Sequence, residues 1–339
     1  MKQRLANWRA AAEGHLWTIA PLCVWSVWPD PMSPARPWRF VLDDAHVGRV
    51  TLTGAMHDHG SDTVLVAVHG LGGDIDSHYI HRAAIAAERA GIDCLRLNLR
   101  GADLSGDDFY HAGLIADLQA AIASPELARH RRILLLGYSL GGHLAMRYAA
   151  ARPDKRLTAV AAICPPLDLA SAVRDMDAPA RWAYRRHVLG ALKAMLPVAR
   201  RPLPLPLGEA LRIERLRDWD ERLVVPRFGF ASVDRYYQDE SAMHYLEELS
   251  VNTLIVAAEH DPMVLAKRLA PILEERSGKA RTHLTACWLT RAGHVGFPPN
   301  TSLGLTKQSA SHKTSQRTSQ RTSLEIQAVT WLLSQSEQE

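Results

Sequence analysis

Short apolar runs alternate with segments of helical periodicity along most of the chain. The apolar runs predict strands at RVTLTGAM (49–56), TVLVAVHG (63–70), IDCLRLNLRG (92–101), RRILLL (131–136), LTAVAAICPP (157–166), NTLIVAAEHD (252–261) and THLTACWLT (282–290). Helical patterns occupy 78–90, 111–123, 142–152, 264–276 and 325–335. Because continuous apolar runs are typical of parallel strands buried on both faces, we predict an α/β fold. Its sheet is expected to be mostly parallel, with helices on both faces.

Residues 168–225 interrupt this alternation. The segment is rich in arginine and helical in character, with an amphipathic RRHVLGALKAML (185–196) before a proline-rich RRPLPLPLG (200–208). It follows a predicted sheet strand, which is where a cap over an active site would lie. We therefore expect one core formed by 1–167 and 226–339, with 168–225 as a helical cap insertion. A purely structural packing layer is the alternative.

Two segments near the ends of the sequence depart from the pattern. HLWTIAPLCVWSVWP (15–29) is apolar but only about 15 residues long and contains Pro21, whereas a membrane-spanning helix needs about 20 apolar residues. No small-residue cleavage site follows it. We expect this segment to pack on the domain or to line its mouth, without stable membrane insertion. Residues 301–324, including TSQRTSQRTS (314–323), are too polar to bury much surface and predict a flexible loop.

Composition narrows the classes of partner and compartment. The 339 residues are 47% hydrophobic and 22% charged, with a net charge of +4 that is not gathered into one basic run. This balance is ordinary for a globular protein and argues against nucleic acid as the main partner. The four cysteines (Cys23, Cys94, Cys164 and Cys287) lie far apart without a C-x-x-C, so we expect no disulfide framework and no metal. Three lie in apolar runs typical of buried thiols, which favours a reducing, cytoplasmic compartment.

The pentapeptide GYSLG (137–141) carries the strongest chemical signal. RRILLL precedes it and the Ala-rich GHLAMRYAAAR (142–152) follows it, so the motif lies between a strand and a helix. In this setting G-x-S-x-G forms the nucleophile elbow of α/β-hydrolases, a sharp turn that exposes the serine hydroxyl above the sheet. Gly137 and Gly141 are needed because a Cβ there would collide with the neighbouring strand or helix. Ser139 is therefore the candidate nucleophile, and an ordinary strand-to-helix turn is the alternative.

A serine hydroxyl is a weak nucleophile and needs a base that is oriented by an acid. In this arrangement the acid follows the nucleophile along the chain and the histidine comes last. Asp261 is the candidate acid, because it ends an apolar run at the edge where active-site groups of parallel sheets lie. Asp168 is a rival whose position after two prolines also suits a turn or a helix cap. Glu259 and Asp239 have weaker claims.

His294 is the candidate base, because TRAGHVGF (290–297) places it in a glycine-flanked loop after a predicted strand. His260 adjoins the acid and is expected to point away from it. His143 lies on the helix after the elbow and is expected to be packed or on the surface.

The oxyanion of an acyl intermediate needs two backbone N–H donors. Leu140 follows the nucleophile and should supply one of them. HGLGG (69–73) matches the HG-type loop that supplies the other, which makes Leu71 the second candidate. His69 is expected to brace this loop rather than to transfer protons.

Together these motifs resemble the YheT-like branch of the α/β-hydrolases, which also contains mammalian ABHD-type lipid hydrolases. The resemblance spans most of 15–297 and lies in HLWTIAP, HGLGG, NLRG (98–101), YHAGLIADL (110–118), GYSLGG, PRFGFASVDRYYQDES (226–241), EHDPMV (259–264) and AGHVGF (292–297). It implies the α/β-hydrolase fold, with Ser139 as nucleophile, Asp261 as acid and His294 as base. It also implies hydrolysis of short- to medium-chain acyl esters without a cofactor.

Two other functions remain open at this point. An acyltransferase would use the same acyl-enzyme and pass the acyl group to another acceptor. A non-catalytic binding module could retain the fold, although such proteins usually lose a member of the triad.

Overall fold

One sheet of eight strands organises the part of the chain that the structure, a computed structural model, describes: residues 2–27, 30–105, 107–276, 283–305 and 323–336. The strands are β1 (Arg36–Asp44), β2 (Gly48–His57), β3 (Thr63–Val68), β4 (Asp93–Leu97), β5 (Arg132–Tyr138), β6 (Leu157–Ile163), β7 (Asn252–Ala258) and β8 (Leu284–Leu289). Their order in the sheet is β1-β2-β4-β3-β5-β6-β7-β8. The six strands from β4 to β8 in this order pair in parallel, whereas β2 runs antiparallel to both β1 and β4.

The sheet confirms the predicted α/β class and all seven predicted strands, and adds β1. The burial of β3 and β5 explains their continuous apolar runs, because successive side chains of a strand point to opposite faces. Val64 and Val66 pack into one core, while Leu65 and Ala67 pack into the other. β1 was not predicted because it is an edge strand without a continuous apolar run: Trp38 is its one buried residue, and Val41 is 41% exposed.

Helices cover both faces of the sheet, as the alternating pattern predicts. The helices within the described residues are α1 (Lys2–Val27), α2 (His78–Arg89), α3 (Ala116–Ile122), α4 (Leu140–Ala150), α5 (Leu169–Met176), α6 (Trp182–Ala194), α7 (Leu207–Ala210), α8 (Leu216–Trp219), α9 (Val225–Phe228), α10 (Val233–Glu240), α11 (Ala266–Arg276) and α12 (Leu324–Ser336). Helices α2 and α12 pack on one face, and α3, α4 and α11 pack on the other. The predicted helix at 111–123 is shorter than expected, since residues 110–115 form a loop.

The segment between β6 and β7 contains α5 to α10, and the predicted amphipathic helix at 185–196 corresponds to α6. A single π-helical turn, Asp220–Val224, connects α8 to α9. The division of the chain into a core and a cap at 168–225 stays a prediction.

The first helix covers the carboxyl edge of the sheet. α1 continues through Pro21, and Thr18, Ile19, Leu22 and Trp25 line a cavity whose wall also includes Ser139. The expectation that 15–29 lines the mouth of the domain is thereby confirmed for its described residues. Among the described residues, no helix is both long enough and apolar enough to cross a membrane. Most of the predicted flexible loop, residues 306–322, lies outside the described part of the chain.

Candidate active site

Ser139 lies at the sharp turn between β5 and α4. Its backbone has φ of 49° and ψ of −117°, a combination that residues other than glycine rarely adopt. Such a conformation costs about 1–3 kcal/mol and persists only where the surroundings enforce it. A Cβ on Gly137 would lie 2.2 Å from the carbonyl oxygen of Gly141, and a Cβ on Gly141 would lie 2.3 Å from that of Val68. The two glycines are therefore required for the elbow to form.

We expect Gly137→Ala to lower the free energy of unfolding by about 3 kcal/mol or more, because the added methyl group would overlap backbone atoms that cannot move aside. The matched control is Gly190→Ala in α6, where a Cβ meets no heavy atom within 4 Å. That substitution should raise the free energy of unfolding by about 0.5–1 kcal/mol, since alanine is the better helix former. Urea unfolding followed by circular dichroism measures both. Equal effects of the two substitutions would contradict this account of the elbow.

The structure brings Ser139, His294 and Asp261 into one chain of hydrogen bonds. The Nε2 atom of His294 lies 2.9 Å from the Ser139 Oγ, and its Nδ1 atom lies 2.8 Å from the Asp261 Oδ2. His294 and Asp261 are buried, whereas Ser139 is partly accessible and lines the cavity. If Nδ1–H donates to the carboxylate, Nε2 is left free to accept the hydroxyl proton.

The Asp261 carboxylate is fixed on both of its oxygens. Its Oδ1 accepts hydrogen bonds from the backbone N–H groups of Met263 at 2.7 Å and Val264 at 2.9 Å, which leaves Oδ2 facing the imidazole. These bonds hold the carboxylate in a single orientation. A carboxylate fixed in this way can hold the imidazole of His294 in the orientation that a general base requires.

The rival acids have other partners. Asp168 is the N-cap of α5 and accepts a hydrogen bond from the N–H of Ser171, so its predicted capping role is confirmed. Asp239 pairs with Arg235 one helical turn away, and Glu259 is exposed.

Of the two other candidate histidines, His143 is accounted for by packing. His143 was expected to be either packed or on the surface, and it is buried. Its ring nitrogens lie 2.7 Å and 2.8 Å from the carbonyl oxygens of Pro166 and Glu240. The backbone carbonyl of His260 packs against Gly14 of α1.

The HGLGG loop lies against the elbow. A Cβ built on Gly70 would be 3.1 Å from the Ser139 Cβ, which shows how closely the two segments approach. Within the described part of the chain, neither the N–H of Leu71 nor that of Leu140 donates to a protein acceptor. Both amides are therefore available to an oxygen atom bound beside Ser139.

Two tyrosine side chains from other segments, and the ring of His69 within the loop, hold this loop in place. The hydroxyl of Tyr79 accepts a hydrogen bond from the N–H of Gly70, and that of Tyr110 accepts one from the N–H of Gly72. The Nε2 atom of His69 accepts a hydrogen bond from the N–H of Leu99, and its Nδ1 lies 2.8 Å from the Gly70 carbonyl oxygen. Burial lowers the pKa of His69 to about 4, so the ring is neutral at pH 7. The bracing role predicted for His69 is confirmed.

A cavity of about 670 Å³ opens above Ser139. This volume lies in the middle of the range of roughly 300–1,000 Å³ found for small-molecule sites. Its walls are mostly apolar, and the segment between β6 and β7 supplies many of them, including Leu169, Val173, Met176, Val188, Leu192 and Trp219.

One known protein family matches most of this chain. The family model described as "Alpha/beta hydrolase family" matches residues 65–301, which include the elbow and both partners of Ser139. The chain belongs to the alpha/beta hydrolase family.

Two curated relatives of this α/β-hydrolase confirm the predicted resemblance to the YheT-like and ABHD-type branch. "Putative esterase YheT" of Escherichia coli K12 is 30% identical over 252 residues, which cover 70% of this chain and 72% of the relative. "Monoacylglycerol lipase ABHD2" of Danio rerio is 24% identical over 263 residues, which cover 71% of this chain. That match spans 61% of the Danio rerio protein, less than two thirds of its length.

Solved structures share the fold of this α/β-hydrolase at low sequence identity. Est1E from Butyrivibrio proteoclasticus aligns with a TM-score of 0.54 and 14% identity, covering 90% of this chain and all of that one (100%). The Pyrococcus furiosus esterase Pf2001 aligns with a TM-score of 0.51 and 16% identity, covering 78% and 90% of the two chains. At these identities the likeness concerns the fold alone.

One contact of this α/β-hydrolase was missed by the sequence analysis. The N–H of His294 donates a 2.8 Å hydrogen bond to Thr18 Oγ1 of α1, and Gly293 and Gly296 pack closely against the same helix. The first helix thus supports the histidine loop directly. The HLWTIAP motif, which contains Thr18, was the available signal, but nothing in the sequence indicated its partner.

Cys164 lies beneath this site and bears on whether a metal could bind here. Among the described residues, Cys164, Asp261 and His294 form the one group whose potential ligand atoms lie close enough together, within 4.8 Å, to share a metal ion. Burial raises the pKa of the Cys164 thiol well above its usual range, so the thiol stays protonated. Because a metal ligand must be a thiolate, and because Asp261 and His294 already bind each other, these residues suit proton transfer better than metal binding.

Proposed function

We propose that this α/β-hydrolase is a serine carboxylic ester hydrolase of the esterase or lipase type. The observation that carries the proposal is the continuous hydrogen-bonded chain from Ser139 through His294 to Asp261, which opens into an apolar cavity. The names of the relatives, an esterase and a monoacylglycerol lipase, agree with it. A binding module would have no need for the strained backbone of Ser139 or for its alignment with His294.

The mechanism follows from the positions of these groups. His294 Nε2 takes the proton of Ser139 as Oγ attacks the ester carbonyl carbon, and Asp261 stabilises the resulting imidazolium. The N–H groups of Leu71 and Leu140 donate to the oxyanion of the tetrahedral intermediate. His294 then protonates the departing alcohol, which leaves an acyl group on Ser139. Water, deprotonated by the same histidine, hydrolyses this acyl-enzyme.

The cavity supports short- to medium-chain acyl esters as substrates. Its apolar walls favour an alkyl chain, while its volume of about 670 Å³ limits how much chain it can enclose. We propose residues 168–225 as the cap, because α5, α6 and α8 contribute side chains to the cavity wall.

A series of p-nitrophenyl esters tests the proposal. We expect the purified protein to release p-nitrophenol from short- and medium-chain esters, and kcat/KM to fall when the acyl chain outgrows the cavity. Labelling with a fluorophosphonate probe, followed by mass spectrometry of the modified peptide, should locate the label on Ser139.

Two results would change the conclusion. If no ester in the series is cleaved and no label is incorporated, the proposed function is wrong. If added alcohols or thiols capture most of the acyl group at the expense of the free acid, the protein is an acyltransferase that uses the same acyl-enzyme.

A further inference from the structure

The charged residues that line the active-site cavity are all acidic. Asp74, Asp76 and Asp220 contribute to its wall, and no lysine or arginine does so among the described lining residues. Asp76 is 73% exposed at its side chain and therefore marks a side that is open to solvent. Asp220 lies elsewhere, on the π-helical turn between α8 and α9.

Asp220 lines the cavity beside several buried side chains. The lining residues Trp219, Val224, Tyr236 and Tyr237 surround this part of the chain, and each is at most 2% exposed. Asp220 itself keeps some accessible surface. Asp220 is therefore accessible from within the cavity that it lines.

The carboxyl group of Asp220 has one hydrogen bond and spare capacity. The hydroxyl of Tyr237 donates to its Oδ2 at 2.7 Å, and this is its only side-chain hydrogen bond within the described part of the chain. Its Oδ1 therefore remains able to accept a further bond, and a carboxylate can accept several. A polar group left unpaired in an apolar cavity is costly, so a ligand that pairs with it gains affinity.

The electrostatic surroundings favour a neutral partner. Burial, with a smaller contribution from Asp177, raises the pKa of the Asp220 carboxyl to about 7, although Tyr237 and Arg217 act in the opposite direction. The group is therefore partly protonated near pH 7 and can either donate or accept a hydrogen bond. A π-helical turn within a helix is frequently found at a functional site, which agrees with a role for this segment in binding.

We infer that Asp220 and Tyr237 form a polar subsite in the wall of the cavity, which binds a hydroxyl group of the ester substrate. The inference rests on the proposed function and adds a substrate class to it: neutral esters that carry a hydroxyl group remote from the ester bond. Anionic groups are disfavoured, because every charged residue of the cavity wall is acidic.

The test compares esters matched in length that end in a methyl or a hydroxyl group. One arm uses p-nitrophenyl esters of ω-hydroxy acids of increasing length, and the other uses hydroxyalkyl esters of one unsubstituted acid. The two arms distinguish a hydroxyl on the acyl part from one on the alcohol part. The quantity measured is the ratio of kcat/KM for the hydroxyl ester to kcat/KM for the methyl ester.

At the length that reaches Asp220, the wild-type ratio should be one or more. An apolar wall would instead make the ratio much smaller than one, because the hydroxyl would lose its bonds to water. We expect Asp220→Leu to lower the ratio by about tenfold, the effect of one buried hydrogen bond. Asp220→Asn should largely preserve the ratio, since the amide can still bond to both Tyr237 and a hydroxyl.

Ser232→Ala is the matched control. Ser232 caps α10, the helix that carries Tyr237, by accepting a hydrogen bond from the N–H of Arg235 at 3.1 Å, but it does not line the cavity. It should change stability without changing the ratio, whereas a merely structural role of Asp220 would make the two variants behave alike.

The outcomes separate the inference from the proposed function. A ratio that is equal in wild type and Asp220→Leu at every length, in both arms, overturns the subsite while ester hydrolysis stands. A higher kcat/KM for ω-ammonium esters than for hydroxyl esters would assign the subsite to cations instead. If Asp220→Leu does not fold, a wild-type ratio far below one at every length overturns the inference by itself. Absence of all ester cleavage refutes the proposed function.

Discussion

Ser139→Ala is expected to lower kcat/KM for p-nitrophenyl esters by about 10⁴- to 10⁶-fold, the range seen when the nucleophile of a serine hydrolase is removed. The loss should be this large because Ser139 is the group that His294 faces at 2.9 Å. Without the hydroxyl no acyl-enzyme forms, and only binding and the oxyanion donors remain. Initial rates across the ester series, with the variant purified free of wild type, measure the effect.

The melting temperature and fluorophosphonate labelling distinguish loss of the nucleophile from loss of the fold. Alanine retains the Cβ and the unusual backbone of position 139, so the melting temperature should change little. Fluorophosphonate labelling should disappear. Ser250→Ala is the control, because the Ser250 hydroxyl donates to the Ala149 carbonyl oxygen and does not line the cavity. Residual activity of Ser139→Ala within tenfold of wild type would show that another group is the nucleophile.

Asp261→Asn is expected to reduce kcat by about 10⁴-fold, with a much smaller change in KM. The asparagine amide can offer an N–H to Nδ1 of His294, which favours the tautomer with the proton on Nε2. In that tautomer the ring cannot accept the proton of Ser139, although the geometry of the site is unchanged. Steady-state kinetics with one p-nitrophenyl ester would measure the effect.

The control for this prediction is Asp168→Asn, which changes the rival acid in the same way. Asparagine caps a helix about as well as aspartate does, so both stability and activity should stay close to those of wild type. If Asp168→Asn lost more activity than Asp261→Asn, the acid would be assigned to the wrong residue.

The sequence predicted those features that depend on neighbouring residues. The apolar runs of β3 and β5 and the glycines around Ser139 are local signals, because burial on two faces and a sharp turn restrict the residue types directly. The order in which Ser139, Asp261 and His294 follow their strands then placed them at one edge of the sheet. For that reason the residues could be named before their distances were known.

Features that depend on contacts between distant segments could not be predicted in the same way. Among the strands of the described residues β1 pairs with β2 alone, at the edge of the sheet, so its residues are too exposed to form an apolar run. The apolar positions of α1 do not lie on one face, as exposed Trp8 and Val24 show beside cavity-lining Leu22. In the sequence, nothing distinguishes Asp220 from the other charged residues of its helical segment. Its place in the cavity wall is evident only from the structure.

The contact between α1 and the histidine loop has a consequence for the time course of synthesis. Thr18 and His294 are 276 residues apart, so the helix is made long before the loop that it supports. At roughly 5–20 residues per second, the interval is roughly 14–55 s. For the last 155 residues of that interval Ser139 has been made, whereas the imidazole that faces it has not. If the proposed function is correct, the growing chain is therefore unable to form an acyl-enzyme until His294 has been made.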